Sequence, residues 1–122
     1  MTNLDRFKIE LNNQSYYDDD TYTMYLKENG VEPLETYTAA MQNKTLYYIY
    51  KAVSAVLESL LNNIDVVRSV QTEFTTTASA YQFIKDRIDC INTKIEQSAY
   101  ADEVQTNVDG QKQSTISYMF YN

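Results

Sequence analysis

The sequence predicts a mainly α fold: a small helical bundle with two long antiparallel helices, short N-terminal helices and an extended or β-hairpin C-terminal tail. Three observations carry this expectation. Apolar residues recur at threes and fours over two long stretches, which is the period of one helix face. The 122 residues include two glycines and one proline, too few for a turn-rich all-β fold. The last residues change to simple alternation, the period of a strand. The chain is one domain's worth, divided into a helical body over residues 1–97 and a tail over residues 98–122 of the same unit.

The elements follow in order. Thr2, with Asp5 three residues later, resembles a capping box with Asp in the Glu position. Leu4, Phe7 and Leu11 then mark one face of a short helix. Residues 12–15 are a polar break. Asp18, Asp19 and Asp20 precede a second stripe of Tyr22, Tyr25 and Leu26. Aspartates there satisfy free N–H groups and oppose the positive helix end. A cation site is the competing reading, but the triplet lacks the glycine and later bidentate Glu of a calcium loop. Asn29-Gly30 is a helix stop, with Gly at the left-handed position. Residues 31–35, containing Pro33, read as a loop.

The strongest periodicity is Leu46, Ile49, Tyr50, Val53, Val56, Leu57, Leu60, Leu61 and Ile64. It predicts a central helix over residues 38–65, about 40 Å long at ~1.5 Å per residue. Residues 65–79 are spaced irregularly, and Thr75-Thr76-Thr77 is a poor helix interior. They read as an extended or looped crossover with Val70 and Phe74 tucked against the core, a continuation of the central helix through Val70 being the alternative. Thr77 or Ser79 is placed to cap the next helix. Tyr81, Ile84, Ile88, Ile91 and Ile95 form a second seam, predicting a helix over residues 79–97 that pairs with the central one. Lys85, Asp86, Asp89 and Glu96 make its solvated face.

Beyond Gln97 the helical signal fades. Asp109-Gly110 is a hairpin-type dipeptide, and Ser114, Ile116, Tyr118 and Phe120 alternate with Thr115, Ser117 and Met119. A strand with no partner sheet in its own chain is suited to addition onto a neighbouring subunit. The other reading is a frayed tail or a hairpin folded onto its own core.

Composition excludes several chemistries. The chain has no His and one Cys. No Ser-His-Asp or Cys-His unit can form without an imidazole base, nor can a Cys/His zinc site. Cys90, between Ile88 and Ile91, reads as small core filler. No phosphate loop, CxxC, HExxH or GxSxG occurs. Seventeen acids make carboxylate pairs inevitable, so a carboxylate hydrolase has no distinctive support. The expectation is no enzyme, with no catalytic residues, cofactor or metal. Net charge is −7, from 17 acids against 10 bases. Nucleic-acid binding needs Lys and Arg to displace counterions, so DNA is expected only as passing cargo without specific binding, repelled by like charge. The N-terminus has no apolar signal core and no run of 18 apolar residues occurs. That predicts a soluble protein made in the cytoplasm, with no membrane partner.

Twelve of the 16 aromatic residues are Tyr. Tyr offers contact area with a hydroxyl that tolerates water. Tyr16, Tyr17, Tyr47 and Tyr48 are read either as partly buried rim residues or as interface anchors. Ile116, Tyr118 and Phe120 of the tail complete the candidate interface set.

Residues 11–26, LNNQSYYDDDTYTMYL, resemble the opening of small head–tail connector proteins, the neck adaptors of tailed phages and prophages of Gram-positive bacteria. Residues 68–81, RSVQTEFTTTASAY, resemble their middle segment. The resemblance covers about residues 4–97 and leaves out the tail. It implies a helical adaptor, a homo-oligomer of usually twelve copies in a ring below the portal that continues the DNA channel. It implies the portal and neighbouring neck or tail proteins as partners, and the virion neck as location. The family has no catalytic residues to carry over. Another neck or tail component (stopper, tail-completion or baseplate) and a non-viral helical oligomerisation adaptor are the alternative readings.

Overall fold

A computed structural model describes residues 1–39 and 44–98. It consists of five α-helices: α1 (Asn3–Glu10), α2 (Asp19–Glu28), α3 (Thr45–Leu61), α4 (Ile64–Val70) and α5 (Thr77–Gln97). The fold is mainly α, built on α3 and α5. Tyr50 of α3 faces Lys94 of α5, and Ser54 faces Asn92. Residue numbers rise along one helix as they fall along the other, so the pair is antiparallel. The short helices α1 and α2 pack across α3, and α4 closes the far end against α5.

The N-terminal helices follow the local chemistry. Thr2 Oγ1 accepts from the Asp5 N–H at 3.1 Å while Asp5 Oδ2 accepts from the Thr2 N–H at 3.0 Å. This is a reciprocal capping box. Hydrogen bonding from the Thr2 backbone, with a smaller contribution from the Thr2 side chain, holds the Asp5 carboxyl below its ordinary pKa. Asn12 and Asn13 then adopt left-handed backbone and turn the chain, a conformation Asn tolerates better than most residues. Asp18 Oδ1 accepts from the Thr21 N–H at 2.9 Å, and Asp19 pairs with Lys8 of α1 at 2.7 Å. The acid triplet thus supplies a cap and an inter-helix ion pair. At the end of α2, Gly30 has φ +79°. Its N–H donates to Lys27 O at 3.0 Å and that of Val31 to Leu26 O at 2.9 Å, a Schellman closure.

The central helix is shorter than residues 38–65. Helix α3 has 17 residues, about 25 Å at ~1.5 Å rise. Asn63 leaves helical backbone at φ −138°, ψ 51°, and its Nδ2 donates to Ser59 O at 3.1 Å. A side chain that satisfies a terminal carbonyl competes with helix continuation. The seam keeps its phase through Ile64 because Ile64 and Val67 stay buried, but on a new helix. The expected crossover over residues 65–79 is therefore corrected at its start, where burial of a two-residue stripe outweighs the modest helix preference of Val. Phe74 does tuck in, its ring 5.1 Å from that of Phe83. Arg68 Nη2 donates to Thr75 O at 3.0 Å and Nη1 to Thr77 Oγ1 at 3.2 Å, which pins the connection.

Helix α5 is capped by Thr76, one residue before the expected Thr77. The Ser79 N–H donates to Thr76 Oγ1 at 3.0 Å. Thr76→Ala is expected to cost about 1 kcal/mol, read as a lower urea midpoint with unchanged slope. The α5 seam is Ala80, Ile84, Ile88 and Ile91, all buried. Tyr81 is displaced outward, 43% exposed. Cys90 is exposed, which corrects its reading as core filler. It lies about 200° around the helix from Ile88 at ~100° per residue, so the seam that buries Ile88 turns Cys90 to solvent. The tail expected over residues 98–122 lies, apart from Ser98, outside the described residues.

Candidate functional site

Two polar clusters hold the bundle together. The first centres on Glu10, the last residue of α1 and a buried one. Its Oε2 accepts from Arg6 Nη1 at 2.8 Å, and its Oε1 from Lys94 Nζ at 2.9 Å. Its backbone carbonyl accepts from Arg87 Nη2 at 2.7 Å. Burial pushes the Glu10 carboxyl up, but hydrogen bonds from Lys94 and Arg6 outweigh it and hold the group below its ordinary pKa. The cations continue the chain of contacts. Arg6 lies over the Tyr37 ring at 5.7 Å, and Lys94 over the Tyr50 ring at 5.5 Å. One carboxylate thus ties α1, α5, the α3 flank and the loop after α2.

The second cluster is made of tyrosines. Tyr22, 1% exposed, receives the N–H of Tyr16 at 3.0 Å and of Tyr17 at 3.4 Å on its hydroxyl, and donates to Gln14 O at 2.9 Å. Its ring meets Phe7 edge-on at 5.2 Å. The Tyr16 hydroxyl donates to Gln71 Oε1, and Tyr17 shares a 2.6 Å hydrogen bond with Ser59 Oγ. The α1–α2 loop is thereby fastened to α3 and to the end of α4.

These contacts place the residues expected at an interface. Tyr16 is 7% exposed and enclosed by its own chain, which corrects its reading as an outward anchor. Its hydroxyl reaches Gln71 at the end of α4. Tyr17 is half-buried and committed to Ser59. Tyr47 and Tyr48 are half-buried, edge to face at 5.2 Å, with Lys51 Nζ 5.8 Å from the centre of the Tyr47 ring. They stand at the start of α3, beside the end of α5. Below them an open groove of about 380 Å³ runs along the helix pair, lined by Asn29, Lys51, Ser54, Glu58, Asn92 and Ile95 among others. Ile116, Tyr118 and Phe120 lie outside the described residues.

Burial pushes the Tyr16 hydroxyl up to about 12. It also raises Tyr22, despite the opposing backbone N–H groups of Tyr17 and Tyr16. A folded pKa above the unfolded value of about 10 means that the unfolded chain releases its proton first as pH rises. The contribution of these two hydroxyls is therefore expected to be constant below about pH 10 and to be lost between about pH 10 and 12. Tyr16→Phe is expected to flatten much of that loss in urea unfolding followed against pH.

Among the described residues, no group of three or more His, Cys, Asp or Glu sits close enough to hold a metal ion. No described helix is long and apolar enough to cross a membrane. No family model, curated protein or solved structure matches the chain.

Proposed function

We propose that this chain is a structural neck protein of a tailed phage or prophage. Many copies form a ring below the portal, continue the DNA channel and contact the next neck or tail component. The observation that carries this reading is the use made of the polar side chains. Glu10, Tyr16, Tyr17 and Tyr22 are each bonded to groups of their own chain, so these side chains brace helices rather than awaiting a substrate. The Tyr47–Tyr48 pair at the start of α3 is half-buried. The resemblance of residues 11–26 and 68–81 to head–tail connectors supplies the particular assembly. The net charge of −7 suits a wall that DNA passes without adhering.

In this reading the protein is made in the host cytoplasm, ends in the virion neck and carries out no reaction of its own. Negative-stain imaging of the chain mixed with the portal of the same phage tests it. A ring of chain density seated on the portal is expected, and a portal left bare at saturating chain contradicts the reading. Deleting residues 114–122 is expected to weaken ring or neighbour contacts while leaving the urea midpoint of the helical body unchanged.

A further inference from the structure

One face of α2 turns away from the described bundle. Tyr22 and Leu26 bury one side of this helix. Asp20, Met24 and Lys27 follow the i, i+4, i+7 spacing and, at ~100° per residue, fall within about 60° of one another on the opposite side. All three are exposed, and Met24, at 45% exposed, is a large apolar side chain in solvent. An acid stands one turn before it and a cation one turn after. Among the described residues, neither Asp20 nor Lys27 belongs to an ion pair. The groove along α3 and α5 carries the complementary pattern. Ser54 and Ala55 line it, small residues that leave room for an incoming side chain, together with Ile95 of α5. Lys51 and Glu58 flank those two residues on the same face of α3. Both are exposed. Lys51 packs on the Tyr47 ring, and Glu58 has no ion pair among the described residues. Lys51 and Glu58 are seven residues apart, as are Asp20 and Lys27. Each pair therefore spans about 10 Å along its helix at ~1.5 Å per residue.

We propose that the groove receives the Asp20–Met24–Lys27 ridge of a second copy of this chain. Met24 enters over Ser54 and Ala55 toward Ile95, Asp20 meets Lys51, and Lys27 meets Glu58. The two helices run in the same direction. The charge order sets that direction, because a reversed ridge would place Lys27 against Lys51 and Asp20 against Glu58. The chain's own α2 does not supply the ridge, since Tyr22 and Leu26 commit the opposite face of that helix to the core. Two grooves do not pair with each other either, because concave surface would meet concave surface. The contact joins two different patches, so each copy keeps one ridge and one groove for further neighbours. A contact of that kind repeats from copy to copy and closes into a ring when its rotation allows. The inference rests on the multi-copy reading above and supplies that ring with its subunit contact.

Full-length chains in a Cys90→Ser background provide the test, because Cys90 is exposed. One copy carries Met24→Cys and the other Ala55→Cys. They are mixed with and without the portal of the same phage and treated with a short bis-maleimide. A linked pair containing one of each is expected. Lys27→Glu in the Met24→Cys copy sets two acids together and is expected to cut the linked fraction about tenfold. Adding Glu58→Lys to the Ala55→Cys copy is expected to restore it. Lys27 and Glu58 are exposed, so circular dichroism of both charge variants is expected to stay helical. Linking of like copies alone, a linked fraction indifferent to Lys27→Glu, or a loss that Glu58→Lys does not restore overturns the proposal. A ring on the portal without the linked pair overturns this contact and leaves the neck reading standing. A linked pair beside a bare portal supports the contact and overturns the neck reading. A bare portal with no linked pair overturns both.

Discussion

Replacing Tyr22 with alanine is expected to lower the unfolding free energy by about 4–5 kcal/mol, the upper part of the range for truncating a buried aromatic. Two losses combine. The ring is 1% exposed and packs edge-on against Phe7 at 5.2 Å, so its removal leaves a cavity in the core. The hydroxyl also serves three backbone groups, the N–H of Tyr16 and Tyr17 and the carbonyl of Gln14. Leaving buried groups unpartnered costs about 1–3 kcal/mol, and Tyr22→Phe isolates that part because it keeps the ring. Urea unfolding of the two variants separates the contributions. A Tyr22→Phe variant as stable as the parent would show that the hydroxyl braces nothing.

Replacing Glu10 with alanine is expected to cost roughly 2–3 kcal/mol, somewhat less than removing one partner of a fully buried pair. Two cations lose their counter-ion, but the Arg6 and Lys94 side chains are 18% and 39% exposed, and water recovers part of the loss. The pH dependence gives a second signature. The folded carboxyl titrates below its ordinary pKa, so the unfolded chain takes up the proton first on acidification. The contribution is complete above the ordinary carboxylate pKa and is lost as pH falls through the folded value. Glu10→Gln is expected to remove that acid-limb slope while retaining an acceptor for Arg6 or Lys94. A parent and a Glu10→Gln variant with superimposable acid limbs would contradict the clamp.

The helices themselves are legible because one-sided apolar spacing is local information. Phe7, Leu26, Val53 and Ile84 all fall on the predicted stripes and all are fully buried. The break between α3 and α4 is less legible. The seam runs in phase through Leu60 and Ile64, so periodicity passes over Asn62 and Asn63. What ends the helix is a side-chain bond from Asn63 to Ser59. Cys90 has apolar sequence neighbours, yet two residues along a helix is the opposite face. The Glu10 clamp is half readable: Arg6 lies four residues away on the same helix, whereas Lys94 is 84 positions distant and meets it only through the tertiary fold. Tyr16 looks like an anchor because aromatic side chains suit interfaces, yet it is buried and its hydroxyl bonds Gln71, which no local pattern connects to it.

Quantitative mass spectrometry of purified virions, from the phage or induced prophage that encodes the chain, asks most directly whether this is a neck component. The chain is expected there at a copy number close to that of the portal. Virions that carry complete tails and lack the chain would contradict that assignment.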